Sequence, residues 1–263
     1  MSVVLYEVID RVAIVTLNRP EARNALSAEV RRELPRAMRR ADDDAGVDAV
    51  ILTGADPAFC AGLDLKELGS GEHDVAAGAR SGEPAGRVRS PIPPMTKPVI
   101  GAINGAAITG GFELALHCSF LVASERARFA DTHSRVGIQP GWGLTVLLAE
   151  AVGVRRAREL SITGNFLDPP TAYAWGLVNH VVAHDELVPF CRRLAADVVT
   201  SDQAGVRRIL RTYADQQLVD GADAWDLEAA AGREWLRGGG GTADAIEARR
   251  QSIMARGRAQ SGG

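Results

Sequence analysis

The feature that most constrains the fold is a short apolar segment that leads through glycines into a helix. Residues 99–103, Val-Ile-Gly-Ala-Ile, lie between a proline and the pair Asn104-Gly105, which is typical of a buried β-strand. Gly110 and Gly111 then open an apolar helix. The start of a helix carries unpaired N–H groups and a partial positive charge, and glycines let another molecule approach that backbone closely. We therefore expect this helix start to hold a developing negative charge.

Glu113 lies one turn into the same helix, where its carboxylate can act as an acid or base beside that charge. The alternative is structural, because an acidic residue in a first helical turn complements the helix dipole. A second glycine-marked loop, residues 54–65, follows a buried strand predicted at 47–53. Open α/β sheets bind ligands at such strand ends, so two loops of this kind favour a functional site.

The order of the predicted elements indicates an α/β fold with right-handed crossovers. Ser27 is predicted to cap a helix that runs through Arg40, between strands at 12–17 and 47–53. Residues 69–94 are rich in Gly, Ser, Pro and charge, which predicts a mobile surface segment; the sequence leaves open whether it is a lid over the site. From residue 186 onward the pattern is helical, and its pieces are predicted to end near 199 and to cover 204–217, 224–236 and 242–255.

Composition narrows the class of protein. The chain has 263 residues and a formal net charge of −3, which gives no indication of nucleic-acid binding. Its three cysteines (Cys60, Cys118 and Cys191) are far apart and form no Cys-x-x-Cys pattern, which indicates reduced thiols and no metal site. There is no signal-peptide pattern and no apolar run long enough to span a bilayer. We expect a soluble, cytoplasmic protein with no membrane partner.

Several motifs, taken together, resemble the enoyl-CoA hydratase/isomerase family, the crotonases. They occur in the family's order and span most of residues 1–185. The matching segments are 18–26 (Asn-Arg-Pro-Glu-Ala-Arg-Asn-Ala-Leu), 59–65 (Phe-Cys-Ala-Gly-Leu-Asp-Leu), 97–100 (Lys-Pro-Val-Ile), Asn104-Gly105, 110–115 (Gly-Gly-Phe-Glu-Leu-Ala), Gly137, Pro140-Gly141 and 174–178 (Ala-Trp-Gly-Leu-Val).

The resemblance implies an α/β fold, a crotonase-like spiral of ββα units with a helical C-terminal region. Residues 1–195 would form the spiral core with the acyl-CoA site. Residues 196–263 would form a helical trimerisation region, in a homotrimer or a dimer of trimers. The ligand would be an acyl-CoA thioester, with coenzyme A as part of the substrate, no further cofactor and no metal.

The resemblance also assigns an oxyanion hole, in which two backbone N–H groups hold the thioester oxygen. By position these map to Ala61 and Gly110. The reactions of the family pass through an enolate-like anion, and preorganised amides aimed at its oxygen lower the barrier. Losing one such donor typically costs roughly 3–4 kcal/mol of transition-state stabilisation.

Substrate and CoA contacts are expected near both loops. The residues implied are Arg23, Ala25, Leu63, Asp64, Lys97, Gly111 and Trp142. A guanidinium suits the CoA phosphates, although Arg23 can equally be a solvated loop arginine. Asp64 can be a turn residue, and Lys97 can pair with a surface acid. Trp142 either reshapes the acyl pocket or packs in the core.

The sequence departs from the family at the second of the two glutamates that hold the added water. The first corresponds to Glu113, but His133 stands where the second should be. A neutral imidazole accepts at one nitrogen and donates from the other, so Glu113 and His133 can still bracket a water. The alternative is a packed histidine with no chemical role. Glu113 and His117 share one helical face, but no third metal ligand accompanies them.

The predicted function is therefore an enzyme, a lyase that adds water to 2-enoyl-CoA in fatty acid metabolism, with Glu113 as the main acid/base and His133 assisting. One alternative is another acyl-CoA reaction on the same oxyanion hole: hydrolysis, decarboxylation or carbon–carbon cleavage. The other is an acyl-CoA binding protein without catalysis, suggested by the missing second glutamate.

Overall fold

The computed structural model describes residues 2–64, 66–67 and 90–214, together with single residues and short runs between 233 and 258. The predicted mobile segment lies outside the described residues except for 90–94. The helices predicted at 224–236 and 242–255 lie mostly outside them as well.

The chain alternates strands and helices. The strands are β1 (Val4–Ile9), β2 (Val12–Leu17), β3 (Ala49–Gly54), β4 (Ala58–Cys60), β5 (Val99–Ile103), β6 (Ala106–Ile108), β7 (Phe120–Ser124), β8 (Arg128–Ala130) and β9 (His180–Val182). The helices are α1 (Ala28–Asp43), α2 (Gly110–Leu116), α3 (His133–Val136), α4 (Leu144–Val152), α5 (Val154–Thr163), α6 (Pro169–Ala174) and α7 (Leu187–Val199). Residues 203–214 are also helical.

The strands form two sheets that wind as a spiral. The larger sheet has the order β1-β2-β3-β5-β7-β9, parallel throughout except for the antiparallel β1–β2 hairpin. Each of β3, β5 and β7 is followed by a short strand (β4, β6 or β8), and these three form the second, parallel sheet. This architecture confirms the predicted α/β spiral of ββα units.

Both faces of the central strands β2, β3, β5 and β7 are buried, which explains why these strands are almost entirely apolar. On β3, Val50 and Leu52 face the main core, whereas Ala49 and Ile51 face the opposite side. Helix α7 covers that opposite side and therefore belongs to the core, although it crosses the boundary predicted at residue 195. The trimerisation role of residues 196–263 stays a prediction.

Helix α1 begins where the sequence predicts. The Ser27 hydroxyl accepts a hydrogen bond from Val30 N at 3.3 Å, which caps the helix. Lys97 holds the other end: it is buried, and its Nζ donates to Ala41 O at 2.8 Å and to Asp44 O at 2.7 Å. The expected contact between Lys97 and CoA phosphate is therefore wrong, because the ammonium is used inside the protein at the C-terminal end of α1.

Lys97→Met should lower the free energy of unfolding by about 2 kcal/mol, because two carbonyls lose a charged donor while the apolar stem is kept. Urea denaturation measures this. Lys66→Met, at an exposed lysine, is the matched control and should leave stability unchanged. A stability of Lys97→Met equal to that of the wild type would contradict the anchoring role.

Candidate active site

Two backbone loops meet at one end of the small sheet. The loop after β4 and the start of α2 after β6 lie side by side, because β4 and β6 are parallel neighbours. Gly62, with φ 90°, makes the close approach possible: a Cβ there would lie 2.7 Å from Ile108 O and 3.3 Å from Gly110 N. Only glycine fits this conformation in this space.

The loop places a different amide at the site from the one expected. Ala61 N donates to Arg23 O at 3.0 Å, so the prediction that Ala61 supplies an oxyanion donor is wrong. Leu63 N instead lies 3.6 Å from where a Cβ of Gly110 would be. Among the described residues, no backbone carbonyl accepts from Leu63 N or Gly110 N. These two amides are the pair that can grip one oxygen.

Thr109 precedes α2 in a strained conformation, with φ 53° and ψ −112°. Such backbone persists only where neighbouring contacts enforce it, and it is concentrated at functional sites. Here Thr109 N donates to Ala130 O at 2.8 Å, and Thr132 N donates to the Thr109 hydroxyl at 3.2 Å. The two threonine hydroxyls are also hydrogen-bonded to each other. The start of α2 is thereby fixed to the segment that carries His133.

Glu113 is buried near the start of α2, and two backbone amides fix one of its carboxylate oxygens. Its Oε1 accepts hydrogen bonds from Gly141 N at 3.2 Å and Trp142 N at 2.9 Å. Oε2 faces His133 Nε2 at 3.7 Å. The structure therefore brings together the two side chains predicted to bracket a water, and it fixes the carboxylate so that one oxygen points toward the imidazole.

Glu113 and His117, which share one face of α2, both form hydrogen bonds with the backbone of Trp142. His117 Nε2 donates to Trp142 O at 2.8 Å, and burial lowers the pKa of His117. The Trp142 indole is half-buried, and its Cζ3 lies 3.2 Å from where a Cβ of Gly110 would be. Trp142 thus bounds the space in front of Gly110.

His133 is oriented by a neighbouring carboxylate. Asp131 Oδ1 lies 2.6 Å from His133 Nδ1 and accepts a hydrogen bond from His133 N at 3.1 Å. Burial raises the pKa of Asp131. The hydrogen bonds from His133, the attraction to its ring when that ring is protonated, and a hydrogen bond from Ser161 outweigh this effect, so the net pKa is below the usual range. Both side chains are buried: 7% of His133 and 1% of Asp131 is exposed.

The loop expected to bind CoA is braced internally. Asp64 pairs with Arg19 at 3.1 Å and accepts from Lys66 N, so it acts as a turn residue and ion-pair partner. Arg19 also donates to the carbonyl of buried Ala25 at 2.9 Å. Arg23 is exposed, with φ 50°, and its guanidinium role stays a prediction. No described group of three or more His, Cys, Asp or Glu residues is arranged to hold a metal.

A family profile described as enoyl-CoA hydratase/isomerase matches residues 7–229 of the chain. The chain belongs to the enoyl-CoA hydratase/isomerase family. It is 38% identical over 230 residues to "Probable enoyl-CoA hydratase 1, peroxisomal" of Arabidopsis thaliana, covering 86% of this chain and 84% of that protein. It is 34% identical to "Crotonyl-CoA hydratase" of Syntrophomonas wolfei, covering 87% of each. A crystal structure of enoyl-CoA hydratase from Mycobacterium smegmatis superposes with TM-score 0.81 at 50% identity, covering 90% and 99% of the two chains.

In this member of the enoyl-CoA hydratase/isomerase family, the sequence does not predict two features of the site. These are the position of Leu63 N beside Gly110 and the contact of Asp131 with His133. The signal for Asp131 was present in the spacing, since an aspartate two residues before a histidine can accept from its Nδ1. None of the described helices is long and apolar enough to cross a membrane. The cytoplasmic location stays a prediction.

Proposed function

We propose that the protein adds water to 2-enoyl-CoA thioesters. The observation that carries this is the pair Glu113 Oε2 and His133 Nε2, 3.7 Å apart beside the start of α2. That separation is too long for a direct hydrogen bond and leaves both atoms within reach of one bridging water. The family and the relatives named enoyl-CoA hydratase and crotonyl-CoA hydratase support the same reaction.

The proposed reaction begins with the thioester oxygen held by Leu63 N and Gly110 N. The bracketed water adds its oxygen to the β-carbon, and the carboxylate of Glu113 takes one of its protons. The electron pair of the double bond moves onto the thioester as an enolate, whose oxygen the two amides stabilise. Glu113 then gives the proton to the α-carbon, so that one water is consumed and the enzyme is restored. His133 accepts a hydrogen bond from the second O–H of the water, whose hydrogen stays on the 3-hydroxyl of the product, and so orients the attack.

The neighbouring residues assist in this scheme. The amides of Gly141 and Trp142 fix the Glu113 carboxylate, so that only Oε2 faces the water. Trp142 limits the space next to the thioester, which makes it the proposed wall of the acyl pocket. Arg23 is the proposed partner of the CoA phosphates, since it is exposed and its backbone carbonyl accepts a hydrogen bond from Ala61 N, in the loop that carries Leu63.

Product analysis on a panel of CoA thioesters tests the function. Conversion of crotonyl-CoA to 3-hydroxybutyryl-CoA supports hydration. Release of free CoA would assign thioester hydrolysis instead, and decarboxylated or cleaved acyl products would assign the other family reactions. Tight acyl-CoA binding without turnover of any thioester would indicate a binding protein.

We also propose a homotrimer or a dimer of trimers built through the C-terminal helices. Ile209 and Tyr213 lie one turn apart in the helical segment 203–214, and 58% and 66% of these residues is exposed. Large apolar side chains at such spacing are typical of a helix face that packs on a neighbour. Sedimentation analysis measures the mass, and a 27.9 kDa monomer would contradict the proposal.

A further inference from the structure

Asp131 carries a buried carboxylate that the proposed mechanism does not use. Its Oδ1 receives both the backbone N–H and the ring Nδ1 of His133, at 3.1 and 2.6 Å. An ionised carboxylate only accepts hydrogen bonds, so a contact of this length requires that Nδ1 carries the proton. The low pKa of Asp131 agrees with the ionised form at neutral pH. The neutral imidazole then has its lone pair at Nε2.

That tautomer determines what lies between His133 and Glu113. An unprotonated Nε2 and a carboxylate Oε2 are both acceptors, and they face each other at 3.7 Å. A water molecule between them can donate one hydrogen to each. With both hydrogens engaged, its oxygen lone pairs are free for attack. The opposite tautomer would place an N–H at this position and would turn a lone pair of the water toward the ring.

We propose that Asp131 is a positioning residue, which fixes the Nδ1–H tautomer of His133 so that Nε2 accepts a hydrogen from the attacking water. This inference rests on the proposed function and deepens it. It explains how a histidine can replace the second glutamate, since an oriented neutral imidazole presents an acceptor where a carboxylate would.

Two described neighbours of the His133 ring have hydrogen bonds of their own. Arg135, on the same helix, directs its guanidinium to Thr163 O and the side chain of Asn165. Helix α5 packs against α3, and its Ser161 hydroxyl hydrogen-bonds Asp131 rather than the ring. The charged residues of α5 (Arg155, Arg156, Arg158 and Glu159) are exposed. The ring is therefore oriented between Asp131 and Glu113.

A tautomer measurement tests the inference without substrate. Nitrogen-15 NMR of labelled imidazole in the wild-type protein should show His133 protonated at Nδ1 and bare at Nε2 near neutral pH. A wild type that holds the Nε2–H tautomer would overturn the proposal even if it hydrates crotonyl-CoA. A wild type with the expected tautomer that converts no enoyl-CoA would contradict only the proposed function.

A double-mutant cycle separates positioning from a purely structural role. Asp131→Asn can donate to Nδ1, so it should lower kcat by about 10²-fold with little change in KM, by the general acid–base scale. In a His133→Gln background, which has no tautomer to fix, the same change should alter kcat less than about twofold. An equal loss in both backgrounds would show that Asp131 only caps α3 and would overturn the assignment.

Ser161→Ala is the matched control, because it removes a hydrogen bond to Asp131 and leaves the contact with the ring in place. Its kcat should stay within about threefold of the wild type. If Ser161→Ala lowers kcat as much as Asp131→Asn does, the loss comes from a less rigid packing around Asp131 and not from the tautomer of His133. That result would contradict the proposal.

Discussion

Replacing Glu113 by glutamine is expected to lower kcat for crotonyl-CoA hydration by about 10²–10⁴-fold, the range of a lost general acid–base group. The glutamine carbonyl can still accept from Gly141 N and Trp142 N, so the fold of the turn is kept. The new NH₂ takes the place of Oε2 and faces His133 Nε2. It would donate to the water instead of accepting its proton, and this is why activity is lost.

The loss of the conjugated thioester absorbance measures the rate, and circular dichroism checks that the variant is folded. Glu159→Gln, at an exposed position on α5, is the control and should keep the rate of the wild type. Equal rates for Glu113→Gln and wild type would remove Glu113 from the mechanism.

Gly111→Ala is expected to destabilise the protein by about 3 kcal/mol or more. A Cβ on Gly111 would lie 2.1 Å from Cys60 O and 2.8 Å from Cys60 Cβ. Because the nearest obstacle is backbone, no rotamer change relieves the clash, and α2 would have to move away from β4. The close packing accounts for the glycine at 111, and a contact with substrate stays a prediction.

Chemical denaturation measures this cost. Gly141→Ala provides the matched control, because nothing lies within 4 Å of a Cβ at that position, and its stability should equal that of the wild type. If Gly111→Ala unfolds at the same denaturant concentration as Gly141→Ala, that result contradicts the close contact between α2 and β4.

Local patterns predicted the regular elements well. The strands Val12–Leu17 and Val99–Ile103 have the predicted bounds, because their runs of apolar and β-branched residues are local signals. The sequence did not predict β4 and β6. Each has only three residues, too few for an alternating pattern, and forms because parallel neighbours pair with it.

The chemistry of the site was predicted less completely, because it depends on contacts between distant segments. The presence of the Glu113 carboxylate at the site could be predicted from its position in the first turn of α2. The proposed oxyanion donor Leu63 N could not be predicted, since Ala61 N donates to Arg23 O and the turn that follows depends on the positive φ of Gly62. Lys97 was misassigned for the same reason: its partners lie more than 50 residues away.

A crystal structure with bound 3-hydroxybutyryl-CoA tests the central claim most directly. The account predicts that the thioester oxygen lies within about 3.2 Å of both Leu63 N and Gly110 N, the normal hydrogen-bond range. The 3-hydroxyl should lie between Glu113 Oε2 and His133 Nε2. A thioester oxygen that contacts neither amide, or a hydroxyl that points away from both side chains, would contradict it.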